Sequence, residues 1–168
     1  VLEAASQLRD LQHVQFVFIG SGADGARLQQ LSRERKLKNI KFLGRFPPEE
    51  MPALLALADV LLVHLRNDPL FRITIPHKIF DYMAAGKPVL TALEGDSGDI
   101  IVNAGAGLAC PSSNPAALAS TVRKFVAMPP AELQALGENG RRAILTIEQP
   151  GAGDQVVDDG LAGWGQGG

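Results

Sequence analysis

The chain has 168 residues, enough for one domain with a real core and too few for two ordinary ones. Its 16 basic and 18 acidic side chains leave a net charge of -2, and the one short charged run, "RERKLK" at Arg33–Lys38, reads as a solvated helix end, which argues against nucleic-acid binding. A single cysteine, Cys110, excludes an intrachain disulfide, no Cys/His spacing suits a metal, and no apolar run reaches the about 20 residues of a membrane span, so a cytoplasmic setting is expected.

In chain order, Val1–Gln12 repeats Val1, Ala5, Leu8 and Leu11 at helical spacing. "VQFVFI", ending at Ile19, is a short apolar run stopped by glycine, the pattern of a strand buried on both faces. A helix follows from about Asp24, then "IKFLG" as a second strand. "PPEEMPALLALA" starts with prolines and glutamates, which suit a helical first turn and its dipole. "DVLLVHL" is a third strand, followed by a loop through Arg66, Asp68 and Pro69 and a helix from about Pro76 to Ala85 that Gly86 closes. "PVLTAL" and "GLAC" read as further strands, and "NPAALASTVRKFVA" and "PAELQALGENGRRAIL" as two more helices. Strands alternating with helices predict an α/β domain, a doubly wound parallel sheet over residues 1–148 with helices on both faces. Gln149–Gly168, rich in glycine and acid and without periodicity, is expected to be a disordered tail.

Ligands of open α/β sheets bind at the carboxyl ends of the strands, which singles out the loops Gly20–Gly25, Gly44–Pro47, His64–His77 and Glu94–Asp99. Gly20, Gly22 and Gly25 have the spacing G-x-G-x-x-G of a dinucleotide fingerprint. That fingerprint also needs an acidic residue about 20 positions on, and the next strand ends in Leu43, Gly44 and Arg45 without one. An arginine there suits a phosphorylated ribose, which keeps NADP in play. The third loop runs into a helix whose first turn carries His77 and Lys78, with Asp81 one turn later on the same face. Free N–H groups at a helix start attract phosphate, and a lysine reinforces them, while a carboxylate suits a sugar hydroxyl. The bland readings are an exposed Lys78–Asp81 ion pair, ordinary histidines at His64 and His77, and a simple tight turn at Gly20–Gly25.

"DPLFRITIPHKIFDYMAAGKPVL", Asp68–Leu90, resembles the nucleotide-sugar signature of GT-B glycosyltransferases, of the retaining group 1 / family 4 type that builds bacterial polysaccharides. "FVFIGSGADGARLQQL", "NIKFLGRFPPEEMPALLALADVLLVHL" and "GDSGDIIVNAGAGLACPSSNPAALASTV" resemble other blocks of that family in the same order, so the resemblance covers most of the chain. It implies a Rossmann-like fold forming the second, donor-binding half of a GT-B architecture. The N-terminal acceptor domain and the first strand of this domain would be absent.

The resemblance also implies roles. Asp81 aligns with the second carboxylate of the family's E-x7-E motif, which holds the nucleotide ribose, and the first falls at Ile73, which has no carboxylate. Lys78, with His77 beside it, would face the diphosphate. Backbone at Phe42, Gly44 and Arg45 would hold the uracil, Gly20 and Gly22 would line the cleft, and Gly95 and Asp96 would lie near the transferred sugar or phosphates. No catalytic residue is assigned. The expected ligand is a nucleotide sugar, UDP-linked, with no metal and no other cofactor, passed with retention to a glycan or lipid-linked acceptor. Peripheral membrane association would belong to the full enzyme, and the isolated chain would not transfer sugar. The rivals are an NADP-binding module, a sugar-nucleotide epimerase of the same architecture, a receiver domain and a noncatalytic interaction module. A receiver would need clustered acids at early strand ends, and "FVFIGSG" offers none.

Overall fold

A computed structural model of the chain describes residues 1–64, 76–93 and 95–148. The expectations for Arg66–Ile75, for Glu94 and for the 149–168 tail lie outside the described residues. The order is α1 (Leu2–Gln7), β1 (Phe16–Ile19), α2 (Gly25–Glu34), β2 (Ile40–Gly44), a 3-10 turn (Pro48–Glu50), α3 (Met51–Ala56), β3 (Leu61–His64), α4 (His77–Ala84), β4 (Val89–Ala92), α5 (Asp96–Asn103), β5 (Gly107–Ala109), α6 (Pro115–Ala127) and α7 (Pro130–Glu148).

Every strand pair is parallel. The hydrogen bonds, however, form two ladders, β1–β2 and β3–β4–β5, where one continuous sheet is the sequence expectation. Helices lie on both sides. Val63 and Val89 pack with Ile79 and Met83 of α4, Ile101 of α5 and Ile144 of α7. The strand residues that alternate with them, Leu62, Leu90 and Ala92, pack with Ala4 and Leu8, and with Leu118 and Phe125 of α6. Phe16, Phe18, Ile40 and Phe42 form a third cluster with Leu2, Ala5, Leu28, Leu31 and Leu37. Period-two alternation has thus sorted the strand residues between two helical layers, and the α/β doubly wound reading stands.

Several boundaries differ from expectation. The first helix stops at Gln7 instead of Gln12, because Leu8 leaves helical geometry (φ -111°, ψ 20°) and the chain folds back through turns at Leu11 and Val14. β1 is not buried on both faces: Phe16 and Phe18 point to α2, but Val17 is 50% exposed. The proline-rich segment splits into a 3-10 turn and α3, since Pro52 has no N–H to continue one helix from Pro48. The Glu94–Asp99 loop is in part a helix. α5 begins at Asp96, with Asp96 and Asp99 in its first turn, and Gly98 packs closely within that turn. A Cβ on Gly98 would sit 3.3 Å from the Leu93 carbonyl oxygen. Gly86 closes α4 as expected, at φ 69°.

Candidate functional site

With all strands parallel, their carboxyl ends share one edge, and that edge gathers the candidate residues. β1 runs into Gly20 at φ 121° and β2 ends in Gly44 at φ 77°, both conformations that favour glycine. The Gly20 N–H donates to the Gly44 carbonyl across 2.6 Å, so the two turns form one unit. Gly22 and Gly25 differ from Gly20. Neither has positive φ, and a Cβ at either would meet nothing within 4 Å. The G-x-G-x-x-G spacing therefore contains one conformationally required glycine and two that leave backbone open beside the edge.

The side chain of Phe42 is part-buried, stacked on Phe18 with ring centroids 5.0 Å apart in the cluster that includes Leu28 and Leu31 of α2. Arg45, just past Gly44, is exposed. At α4, Pro76 serves as N-cap without a side-chain hydrogen bond, and His77, Lys78 and Asp81 are all exposed. Lys78 and Asp81 do not form an ion pair with each other. Among the described residues neither charge has an ion-pair partner, which removes the reading of a Lys78–Asp81 ion pair. Past β4, Gly95 at φ 76° is the N-cap of α5 and Asp96 its exposed first residue, so a second helix start opens on the same edge.

The structure also shows a feature that the sequence patterns missed. A cavity of about 320 Å³ is lined by Val1, Leu2 and Glu3 of the α1 start, Phe18 of β1, Leu28, Leu31 and Arg35 around α2, and His64 at the end of β3. None of the expected nucleotide-binding residues lines it. Arg35 donates to Glu3 across 2.5 Å, and Arg9 donates to the Arg35 carbonyl across 2.6 Å. Although His64 keeps much of its surface open, packing around it lowers its pKa by loss of solvent. These residues come from four separate elements, and no local motif could have marked them. Among the described residues, no three His, Cys, Asp or Glu gather as metal ligands, and no helix is long and apolar enough to cross a membrane.

Residues 1–143 fit the family model for glycosyl transferases group 1. The chain belongs to that family. A Pseudomonas aeruginosa relative named Probable glycosyltransferase WbjE is 32% identical over 136 residues, which is 80% of this chain and 33% of that protein. The chain thus spans about a third of the length of this relative. Among solved structures, the C-terminal domain of the group 1 glycosyl transferase LpcC from Francisella tularensis superposes with a TM-score of 0.70 at 19% identity, covering 88% of this chain and 77% of that one. Anabaena HepE in complex with UDP-glucose gives a TM-score of 0.68 at 20% identity, covering 89% and 42%. These structural likenesses establish a GT-B-type α/β fold, and the family model places the chain among glycosyltransferases.

Proposed function

We propose that this group 1 glycosyltransferase chain is the donor-binding half of its enzyme and holds a nucleoside diphosphate sugar, UDP-linked, at the carboxyl edge of its strands. One observation carries the reading: the α4 start, with Lys78 and Asp81 exposed and not paired to each other, opens on the same edge as the linked Gly20 and Gly44 turns. Lys78 and the first N–H groups of α4 face the diphosphate, and Asp81, one turn on, accepts from the ribose hydroxyls. His77 stands beside Lys78 in the first turn. Gly95 and Asp96 at the start of α5 take the transferred sugar or its phosphates, and the Gly44–Arg45 backbone takes the base. The bound UDP-glucose of HepE, a protein of similar fold, supports uridine over other bases.

These groups stabilise the nucleoside diphosphate as it leaves, by fixed dipoles and a cation at the oxygens where charge accumulates. The sugar passes with retention to a glycan or lipid-linked acceptor held by a separate N-terminal domain, in the synthesis of a bacterial polysaccharide. This chain alone binds donor and does not transfer it. Calorimetric titration with UDP, GDP, ADP and NADP tests the reading. Saturable UDP binding that weakens on Lys78→Ala and on Asp81→Ala supports it, as each charged hydrogen bond is worth about 1.5–3 kcal/mol, or roughly 10- to 100-fold in affinity. NADP binding indifferent to Asp81 would replace it with the dinucleotide reading.

A further inference from the structure

The start of α4 carries Lys78 and Asp81, yet its N-cap residue, Pro76, gives it no side-chain hydrogen bond. α6 is fixed differently: Asn114 caps it by accepting from the Ala117 N–H at 2.9 Å. What holds α4 is found at its other end. α4 finishes in the Gly86 turn, at φ 69°, and that turn rests on α7.

Gly137 and Gly140, three apart on one face of the 19-residue α7, are both buried. Glycine weakens a helix interior, so two of them here need a reason in packing. A Cβ on Gly137 would overlap the Gly86 carbonyl oxygen and lie 3.2 Å from Lys87 Cα. One on Gly140 would lie 3.1 Å from the Ala106 Cβ and 3.5 Å from the Cα of Met83, in the last turn of α4. Between the two glycines, Asn139 donates through Nδ2 to the Gly105 carbonyl across 3.2 Å, which anchors α7 on the turn that follows α5. Farther along, Ile144 of α7 packs with Ile101 of α5 and with Ile79 and Met83 of α4.

We infer that Gly137 and Gly140 are positioning residues for Lys78 and Asp81: the bare backbone they present to the end of α4 sets where its start stands on the carboxyl edge. α4 has eight residues, about 12 Å at 1.5 Å per residue, and so short a helix moves as one body. It rests on Val63 and Val89 through Ile79 and Met83, so a push at its end tilts it against the strands and shifts its start. α7 is anchored by Asn139 and Ile144, and α4 has no side-chain cap, so added volume between them displaces α4. Hydrogen bonds to a ligand span only about 2.7–3.2 Å, and a shift of about half an ångström at Lys78 and Asp81 loses them. The role in ligand binding rests on the donor site proposed above; the seating of α4 on α7 does not.

The test compares Gly137→Ala and Gly140→Ala with Leu118→Ala, which opens a cavity under α6 in a different cluster. Residual dipolar couplings of backbone amides in the ligand-free chain report the direction of α4 against β4, and calorimetric titration reports UDP affinity. Both glycine variants are expected to turn α4 and to weaken UDP by about three- to thirtyfold, Gly137→Ala the more, while Leu118→Ala does neither. The loss from Gly140→Ala is expected to shrink in the Asp81→Ala background, whereas a merely destabilised fold loses the same factor in both. Ala106→Gly, which removes the methyl that the new Cβ meets, is expected to restore part of the affinity of Gly140→Ala. Should Gly137→Ala fail to fold, Gly140→Ala and its rescue decide alone. Unchanged couplings along α4 overturn the inference. A turned α4 with the parent's UDP affinity overturns it too and leaves the donor site standing. An equal loss in the Asp81→Ala background, or a matching loss in Leu118→Ala, assigns the effect to stability and overturns it as well. A parent chain that binds no UDP overturns the donor site and this role with it.

Discussion

The Gly20 N–H and the Gly44 carbonyl, 2.6 Å apart, tie the turn after β1 to the turn after β2. Both glycines have positive φ, 121° and 77°, so the bond joins two backbone conformations that side chains disfavour. The shape of this part of the carboxyl edge is set by main chain alone, and a glycine can be lost there without removing any side-chain contact.

Gly20→Ala should therefore lower unfolding stability by about 1–2 kcal/mol, from strain and not from a clash, since a Cβ there meets nothing within 4 Å. Gly22→Ala, at ordinary φ and equally open, should stay within about 0.5 kcal/mol of the parent. Urea denaturation of the two variants separates them, and equal losses would show that the second glycine is also conformationally required.

Gly107→Ala should be far more damaging, because its Cβ would land on the backbone of Val89, its partner across the β4–β5 ladder. Neither strand can move without breaking the ladder, so a loss of about 2–4 kcal/mol is expected in the same denaturation assay. A variant as stable as the parent would mean that β5 shifts freely.

Cys110 is a buried thiol whose pKa is raised by loss of solvent, with a hydrogen bond involving Thr121 opposing the shift. It should hold little thiolate near pH 8 and react with a disulfide reagent about tenfold or more slower than in denaturant. Fast labelling of the native protein would show that the β5 end opens readily.

Arg123 donates to both carboxylate oxygens of Asp10 at 2.7 Å, and this holds the Asp10 carboxyl below its ordinary value of 3.8. The sign follows from proton uptake. The unfolded chain binds the proton more readily, so the stabilisation is complete above about pH 3.8 and is lost as pH falls through the depressed native value. Thermal melts of the parent and Asp10→Asn between about pH 2 and 7 should converge at the acid end and differ most near neutrality. Added salt should narrow the neutral difference, because both side chains are exposed, 44% and 58%. A difference constant across the pH range would assign the effect to something other than this carboxylate.

What the sequence made legible was local. Short apolar runs marked all five strands, two of them ending at glycine, and Gly86 marked the end of α4, because strand burial and helix termination are decided within a few residues. α5 was missed because the Glu94–Asp99 stretch was read only as a loop at the carboxyl end of a strand, although Asp96 and Asp99 suit a helical first turn. The open exposure of Lys78 and Asp81 follows from their placement on an amphipathic turn, which spacing does predict. The break in the sheet and the cavity were not legible. Both depend on how Glu3, Phe18, Arg35 and His64 converge from distant parts of the chain, and hydrophobic periodicity says which residues are buried but not which strands become neighbours.

α1 is only six residues long, yet it touches every part of this arrangement. Leu2 and Ala5 join the cluster under β1 and β2, while Ala4 and Leu8 join the one under β3, β4 and α6. Its polar contacts divide in the same way. Glu3 binds Arg35, and the Ala5 carbonyl accepts from Asn39, on the first side; the Gln7 carbonyl accepts from Arg123 on the other. In mechanical terms α1 is a clasp between two leaves that share no backbone hydrogen bond among the described residues. Force or denaturant that releases it should part the leaves before either ladder frays.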